Sequence, residues 1–130
     1  MKYSKGYKYQ LKDDVVIQTA LRPDKAYIIQ GYIFLGTDGK LFIYRGYAWN
    51  GATLGIDLDC TMLGVLVHDA LFQLMQESGM PLELEPIANE ELQRIMICEG
   101  APVFIASIYY FFVNKYGGRF ATRKLPVYEV

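Results

Sequence analysis

The chain has 130 residues, of which 52% are apolar and 21% are charged. This composition excludes a disordered chain and fits one domain, residues 1–130, that is large enough to bury a core. The net charge of −1 gives no overall attraction to nucleic acid, which we do not expect as a partner. Tyrosine is abundant, with eleven residues, and its ring packs on sheets and interfaces while its hydroxyl stays hydrated.

The N-terminal half has the pattern of β-strands. Residues 15–21 are mostly apolar and β-branched, which predicts a strand, and residues 27–35 predict a second strand with Gly31 as a bulge. The pair Asp38-Gly39 is the typical signal of a tight hairpin, and the apolar residues 41–44 follow it. We therefore expect two antiparallel strands on either side of this turn.

The spacing of apolar residues changes after a glycine-rich segment, residues 46–57, which predicts a loop. From Asp59 onward the apolar residues recur at three- and four-residue intervals, which predicts a helix over residues 60–77. Asp59 is the expected N-cap, and Ser78-Gly79 is the expected end because glycine adopts the left-handed conformation there.

Two further helices are predicted. Pro86 suits the first turn of a second helix that ends near Glu99, and Gly100 and Pro102 separate it from a third helix over residues 103–116. The third helix is expected to stop at Gly117-Gly118. The fold class is therefore α+β, with a small antiparallel sheet in the N-terminal half packed against two to three helices in the C-terminal half.

The longest apolar run, residues 101–113, has thirteen residues. A membrane-spanning helix needs about 20, so we expect no transmembrane segment. A buried core helix is the favoured interpretation, and a helix at a membrane interface is the alternative. Cys60 and Cys98 lack the spacing of a metal or redox pair and are expected to be buried thiols in a reducing compartment. The N-terminus shows no secretory signal, so secretion by a signal peptide is not expected.

His68 is the only histidine, and it lies in the apolar pattern of the first helix. An unsatisfied buried polar group costs roughly 1–3 kcal/mol, so His68 needs hydrogen-bond partners. Asp69 points about 100° away on the helix, so the two cannot form an aligned His–carboxylate pair. Asn89 belongs to the inward face of the second helix and is a candidate partner. The favoured interpretation is a polar clasp that holds the loop at residues 46–57 onto the helix.

Two chemical alternatives are weaker. Asn50, Asp57, Asp59 and Asp69 are the oxygen ligands that a metal beside His68 would use, but one histidine makes such a site unconvincing, and we expect no metal and no cofactor. Thr53 or Cys60 are the candidate nucleophiles for His68, although Cys60 lies about 12 Å away along a straight helix.

The charged residues of the second helix have the pattern of a solvated face. Glu90, Glu91, Arg94 and Glu99 belong to this face, and we expect Arg94 to pair with Glu90 at four-residue spacing.

Four short motifs together resemble a known family. They are Trp49-Asn50-Gly51-Ala52-Thr53, His68-Asp69-Ala70-Leu71-Phe72, Ala88-Asn89 and Tyr116-Gly117. Their order and spacing are similar to those of small bacteriophage and prophage proteins known as domain of unknown function 1353, over about residues 31–118. In that family Asn50 and Asn89 correspond to aspartates and Thr53 to a serine. An amide cannot act as a base and is a weak metal ligand, so these changes favour a hydrogen-bonded cluster.

The resemblance implies a phage-encoded protein of the host cytoplasm or the virion. We expect an accessory or virion-associated protein that binds a host factor or another phage protein, and homo-oligomerisation stays open. The alternative is a small hydrolase acting on cell wall or a nucleotide, with His68 as general base and Asp69 as its catalytic neighbour. In both cases the predicted site is the same polar cluster: Asn50, Gly51, Thr53, His68, Asp69 and Asn89.

Overall fold

The computed structural model describes residues 3–4, 9–49 and 58–122 of the chain. In these residues the N-terminal half forms short antiparallel strands and the C-terminal half forms three α-helices. The predicted α+β fold class is therefore confirmed. The strands, however, belong to two sheets rather than one.

The strands are short, and in those after residue 8 buried side chains alternate with more exposed ones. Their bounds are β1 (Tyr3–Ser4), β2 (Tyr9–Leu11), β3 (Val15–Gln18), β4 (Tyr27–Ile29), β5 (Ile33–Leu35), β6 (Lys40–Ile43) and β7 (Ala48–Trp49). The first sheet has the order β1-β2-β7 and the second has the order β3-β6-β5-β4. Because successive side chains point to opposite faces, each strand of the second sheet gives one set of residues to the core and another to the outer face.

The Asp38-Gly39 turn joins β5 and β6 as predicted, and Gly39 has a φ of +84°. The segment 27–35, in contrast, is not one strand with a bulge. Gly31 also has a φ of +84°, and the N–H of Tyr32 donates to the carbonyl of Ile29, so the chain reverses there and forms two paired strands. Apolar residues continue on both sides of this glycine, which is why the sequence pattern did not reveal the turn.

Two other strand predictions need correction. The first predicted strand ends at Gln18 rather than at residue 21, because the chain leaves the sheet near Ala20. Part of the predicted loop over residues 46–57 is a strand, since Ala48–Trp49 pairs with β2. Both differences come from tertiary contacts that short apolar runs do not reveal.

The helices are α1 (Asp59–Glu77), α2 (Glu85–Cys98) and α3 (Val103–Thr122), with a short 3-10 helix at Leu82–Leu84. Asp59 is the first residue of α1 and not its N-cap; the cap is Leu58, whose N–H donates to the Thr61 hydroxyl at 3.3 Å. The predicted end of α1 is confirmed, with Ser78 as C-cap and Gly79 at a φ of +73°.

α3 continues through Gly117-Gly118, where we predicted that it would stop. Glycine adopts helical backbone angles at a cost of about 1 kcal/mol each, so a glycine pair permits a helix end without forcing one.

The core lies between the second sheet and the helices, and α1 is its centre. Gly64 lies where α1 meets α2. A methyl group at this position would be 2.9 Å from the Met96 side chain and 3.0 Å from the Leu92 carbonyl oxygen. A glycine inside a helix is unfavourable by itself, so its place here is explained by the close approach of the two helices.

α3 packs on α1 and α2 with one face only. Ala106, Tyr109 and Val113 are buried, whereas the large apolar residues Phe104 and Phe111 are exposed. The prediction of a buried core helix is therefore right for one face and wrong for the other. No helix in the described part of the chain is both long and apolar enough to cross a membrane.

The two cysteines are less buried than predicted. Cys98 is exposed and Cys60 is half-buried, and both are free thiols. Cys98 lies at the C-terminal end of α2, where the helix face turns from the core to solvent.

Candidate functional site

His68 is the first member of a hydrogen-bonded chain that joins the three helices. Its Nε2 lies 2.8 Å from the Oδ1 of Asn89, and both side chains are buried. The amide nitrogen of Asn89 donates in turn to the Oδ1 of Asn114 on α3, also at 2.8 Å. Because a carbonyl oxygen only accepts, the Nε2 of His68 carries a hydrogen and donates it to Asn89. We call this set of three side chains the amide chain.

Burial lowers the pKa of His68 to about 4, although its hydrogen bond to Asn89 acts in the opposite direction. The imidazole also lies against the ring of Phe72, with 4.0 Å between the ring centroids. A buried imidazole is costly to charge because the surroundings solvate the cation poorly. His68 is therefore neutral at pH 7, and its Nε2 hydrogen is used in holding α1 to α2.

Asp69 faces a different part of the molecule, as its helical position predicted. Burial raises the pKa of this half-buried side chain to about 7. The charge of Asp69 contributes to the raised pKa of Tyr47, whose hydroxyl donates to the Oε1 of Gln73 at 2.8 Å. Burial first, and then the charges of Asp69 and Glu77, raise the pKa of Tyr47. The Tyr47 phenol is therefore a neutral donor that ties the segment after β6 to α1.

The predicted six-residue cluster is thus described only in part. His68 and Asn89 are brought together, and Asp69 lies on another side of α1. Asn50, Gly51 and Thr53 lie outside the described residues, as does Asp57. In the described part of the chain His68 bonds to α2, and the predicted clasp between His68 and the loop stays a prediction.

Glu91 is a buried polar residue that the sequence pattern missed. Only 2% of its surface is exposed, and its carboxylate accepts hydrogen bonds from the N–H of Ala20 and from the Arg94 guanidinium. Arg94 also donates to the carbonyl of Gln18 at 3.3 Å. The prediction that Glu91 is solvated was wrong, and Arg94 pairs with Glu91 at three-residue spacing. One feature of the sequence does indicate that Glu91 is buried, because it lies one helical turn from Ala88 and from Ile95, which are both buried.

A second candidate site is the outer face of the second sheet. Its register places one apolar residue of each strand in a single line across the sheet: Val16, Phe42, Phe34 and Ile28. We call this line the outer row. Val16 and Ile28 at its ends are 55% and 50% exposed. The two phenylalanines pack edge to face, with ring centroids 5.9 Å apart, and are half-buried.

Tyrosines extend the outer row on one side. Tyr44 stacks on Phe42 with 6.4 Å between the ring centroids, and Tyr32 is 48% exposed. The N–H of Tyr44 donates to the carbonyl of Tyr32, which places these two residues side by side. The outer face of an antiparallel sheet is usually polar, so a line of four apolar residues flanked by tyrosines is a candidate interaction surface.

Both edges of this sheet are bonded to the helices. The Ser78 hydroxyl donates to the Ile28 carbonyl at 2.6 Å on the β4 edge, and the Arg94 guanidinium donates to the Gln18 carbonyl on the β3 edge. Each contact occupies a backbone group that an added strand would need. The face of the sheet is therefore the more accessible surface for a partner.

In the described ranges, no group of three or more histidine, cysteine, aspartate or glutamate side chains is arranged to hold a metal ion. A comparison of the chain with family models, with curated proteins and with solved structures gives no match in any of the three. The resemblance to domain of unknown function 1353 therefore stays a prediction.

Proposed function

We propose that this protein is a phage-encoded accessory or virion-associated protein that acts by binding another protein, either a host factor or a second phage protein. The observation that carries the binding function is the outer row, four apolar residues in line on the solvent side of the sheet. The phage origin, with a place in the host cytoplasm or the virion, rests on the motif resemblance alone.

The chemistry of the outer face fits a protein partner. Phenylalanine and tyrosine are enriched in the centres of protein interfaces because they bury a large area with few rotatable bonds. Charged groups near this face have both signs, since Asp14 and Lys40 are both exposed beside it. A polyanion would be attracted by a field of one sign, which mixed charges do not provide. The partner should therefore present an apolar strip with hydrogen-bonding groups at its margin.

The geometry at His68 gives the hydrolase alternative little support. A general base must reach a substrate proton, and it works best when its pKa is near the working pH. His68 is 7% exposed, its pKa is about 4, and its Nε2 is bonded to Asn89. These properties match a structural histidine better than a catalytic one, so we place the function on the sheet.

A charge placed on each end of the outer row tests the proposal. Val16→Lys with Ile28→Lys introduces two ammonium groups at exposed positions, so folding should change little, whereas an apolar partner would have to bury them. The matched control is Leu82→Lys, which charges another exposed apolar residue, 41% exposed, away from the sheet. Cross-linking in phage-producing cells should identify a protein that the wild type and the control retain and that the double variant loses.

The identified protein is then purified and its Kd is measured directly. We expect the double variant to bind at least about a hundredfold more weakly than the control, since interface hot spots contribute 2 kcal/mol or more each. Equal Kd values for the double variant and the wild type would show that the outer row is not the binding surface. Hydrolysis of cell wall or nucleotide by the wild type that disappears in His68→Gln would instead establish the enzyme.

A further inference from the structure

α3 presents a stripe of large apolar side chains to solvent. Phe104, Ile108 and Phe111 are 65%, 51% and 71% exposed, and their spacing of four and then three residues places them on one side of the helix. Val103, beside the first of them, is 63% exposed. This stripe lies opposite the buried face formed by Ala106, Tyr109 and Val113, so it contributes nothing to the core. We call Val103, Phe104, Ile108 and Phe111 the α3 stripe.

The end of α3 and the residues after it carry an excess of positive charge. Residues 100–114 contain no charged side chain, and the next residues contain Lys115, Arg119, Arg123 and Lys124, with Glu129 as the single acid. The segment 100–130 thus has a net charge of +3, whereas residues 1–99 have a net charge of −4. Lys115 and Arg119 are four and eight residues beyond Phe111, so the basic positions continue along the same side of α3.

We infer that α3 binds the surface of a lipid bilayer that contains anionic lipids. In this arrangement the α3 stripe enters the boundary between headgroups and acyl chains, and the net positive charge of segment 100–130 is attracted to the negatively charged headgroups. Phenylalanine on one side of a helix together with lysine and arginine nearby is the composition of helices that lie in the interface plane. Each basic residue near an anionic surface strengthens binding, so an excess of positive charge favours this occupant.

The charges argue against a second copy of the chain as the occupant. Two copies meeting at their α3 stripes would bring two segments of net charge +3 together, and like charges weaken association. An anionic lipid surface has the opposite sign and is complementary to the same segment. This inference does not depend on the proposed function, because the outer row lies on the sheet and the α3 stripe lies on a helix.

Vesicle flotation tests the inference with the full chain. Vesicles of phosphatidylcholine alone are compared with vesicles of phosphatidylcholine and phosphatidylglycerol, at low and high salt. The wild type should bind the anionic vesicles, bind neutral ones at least about tenfold more weakly, and dissociate as salt screens the charges. Phe104→Ser with Phe111→Ser should lower binding at least about tenfold, because two large apolar groups no longer enter the bilayer. Leu82→Ser, which removes an exposed apolar residue elsewhere, should bind as the wild type does.

A second measurement locates the helix and does not depend on the serine variant. The indole introduced by Phe111→Trp should be quenched by lipids brominated in the acyl chain, while Trp49, which is 3% exposed, should not be quenched in the wild type. Failure of the wild type to float with either vesicle would overturn the inference. Equal flotation of the wild type and the double serine variant, or equal binding to neutral and anionic vesicles, would overturn it as well. A wild-type dimer that the serine variant converts to monomer, with no flotation, would show that the α3 stripe joins two copies.

Discussion

The β3 edge of the sheet meets α2 through a charged contact, whereas the helices meet one another through neutral ones. At the first junction the buried carboxylate of Glu91 accepts hydrogen bonds from the Ala20 backbone and from Arg94. At the second, His68 and Asn89 form the buried part of the amide chain. A buried anion requires donors on every side, and one of them here is a cation. A neutral imidazole requires only a single acceptor at each N–H.

The two junctions should therefore respond differently to the loss of one partner. A buried carboxylate that loses its donors becomes an uncompensated charge. A buried neutral group that loses its partner is only an unsatisfied hydrogen-bonding group, which costs less free energy. The neutral junction, in turn, is tighter, because Gly64 lets α1 and α2 approach within the distance that a methyl group would occupy. The sheet junction should therefore be sensitive to charge, and the helix junction to volume.

The largest effect is expected for Glu91→Ala. The change leaves the Ala20 N–H without its acceptor and a cavity in place of the buried Glu91 side chain, and we expect a loss of about 3–5 kcal/mol in the free energy of unfolding. Urea unfolding measures it. Glu90→Ala is the matched control, since Glu90 is the exposed neighbour and should change stability by about 0.5 kcal/mol or less. Similar losses for both variants would show that Glu91 is not a buried link.

His68→Ala should have the next largest effect, about 2–4 kcal/mol, because it creates a cavity and leaves the Asn89 carbonyl without its donor. Thermal melts together with a plaque or partner-binding assay check this. If His68 were catalytic in an open pocket, activity would disappear while the melting temperature stayed within a degree or two of the wild type. That combination would show that the amide chain is not a structural contact.

Gly64→Ala tests the volume of the helix junction. Alanine favours a helix over glycine by about 1 kcal/mol, yet its methyl group would be 2.9 Å from Met96 and 3.0 Å from the Leu92 carbonyl oxygen. We expect the clash to win, with a net loss of about 1–2 kcal/mol in the free energy of unfolding. Gly64→Ala with Met96→Ala should recover part of this loss relative to Met96→Ala alone. An increase in stability for the single variant would show that the helices separate easily.

The sequence revealed the neutral junction better than the charged one. His68 and Asn89 are polar residues in otherwise apolar helical faces, so each required a partner, and the structure joins them. Glu91 escaped notice because Glu90 and Arg94 beside it made a solvated face the simpler interpretation. One of its two partners is a backbone N–H that lies 71 residues away in the chain, and no local pattern reports such a contact.

The helix and strand boundaries show the same limit. The ends of α1 and α2 were predicted within one residue because caps, proline and glycine act locally. The turn at Gly31 and the passage of α3 through Gly117-Gly118 were not predicted, since glycine permits both a turn and a helix. The exposed apolar α3 stripe was expected only under the alternative of a helix at a membrane interface, because hydrophobic spacing cannot say whether a second apolar face is covered.

The last prediction concerns how the free energy of unfolding changes with pH, and it compares the contributions of His68 and Asp69. The pKa of His68 is about 4 in the folded chain and 6.5 without burial, so between these values the unfolded chain binds the proton and stability decreases as pH falls. The pKa of Asp69 is about 7, above its ordinary 3.8, so between these values the folded chain holds the proton and stability decreases as pH rises. The two slopes oppose each other in the wild type between about pH 4 and 6.5.

Asp69→Asn removes the pH dependence that Asp69 contributes to stability and leaves the one that His68 contributes. The variant should gain stability relative to the wild type as pH rises from 4 to 6.5, by up to about 1.4 kcal/mol per pH unit. Urea unfolding at several pH values in this range gives the difference, from which groups common to both proteins cancel. Glu90→Gln, which neutralises an exposed carboxylate, should show a much flatter difference. A constant offset between Asp69→Asn and the wild type would mean that the Asp69 carboxyl is solvated in the folded protein, and that the α1 surface beside Tyr47 is open to water.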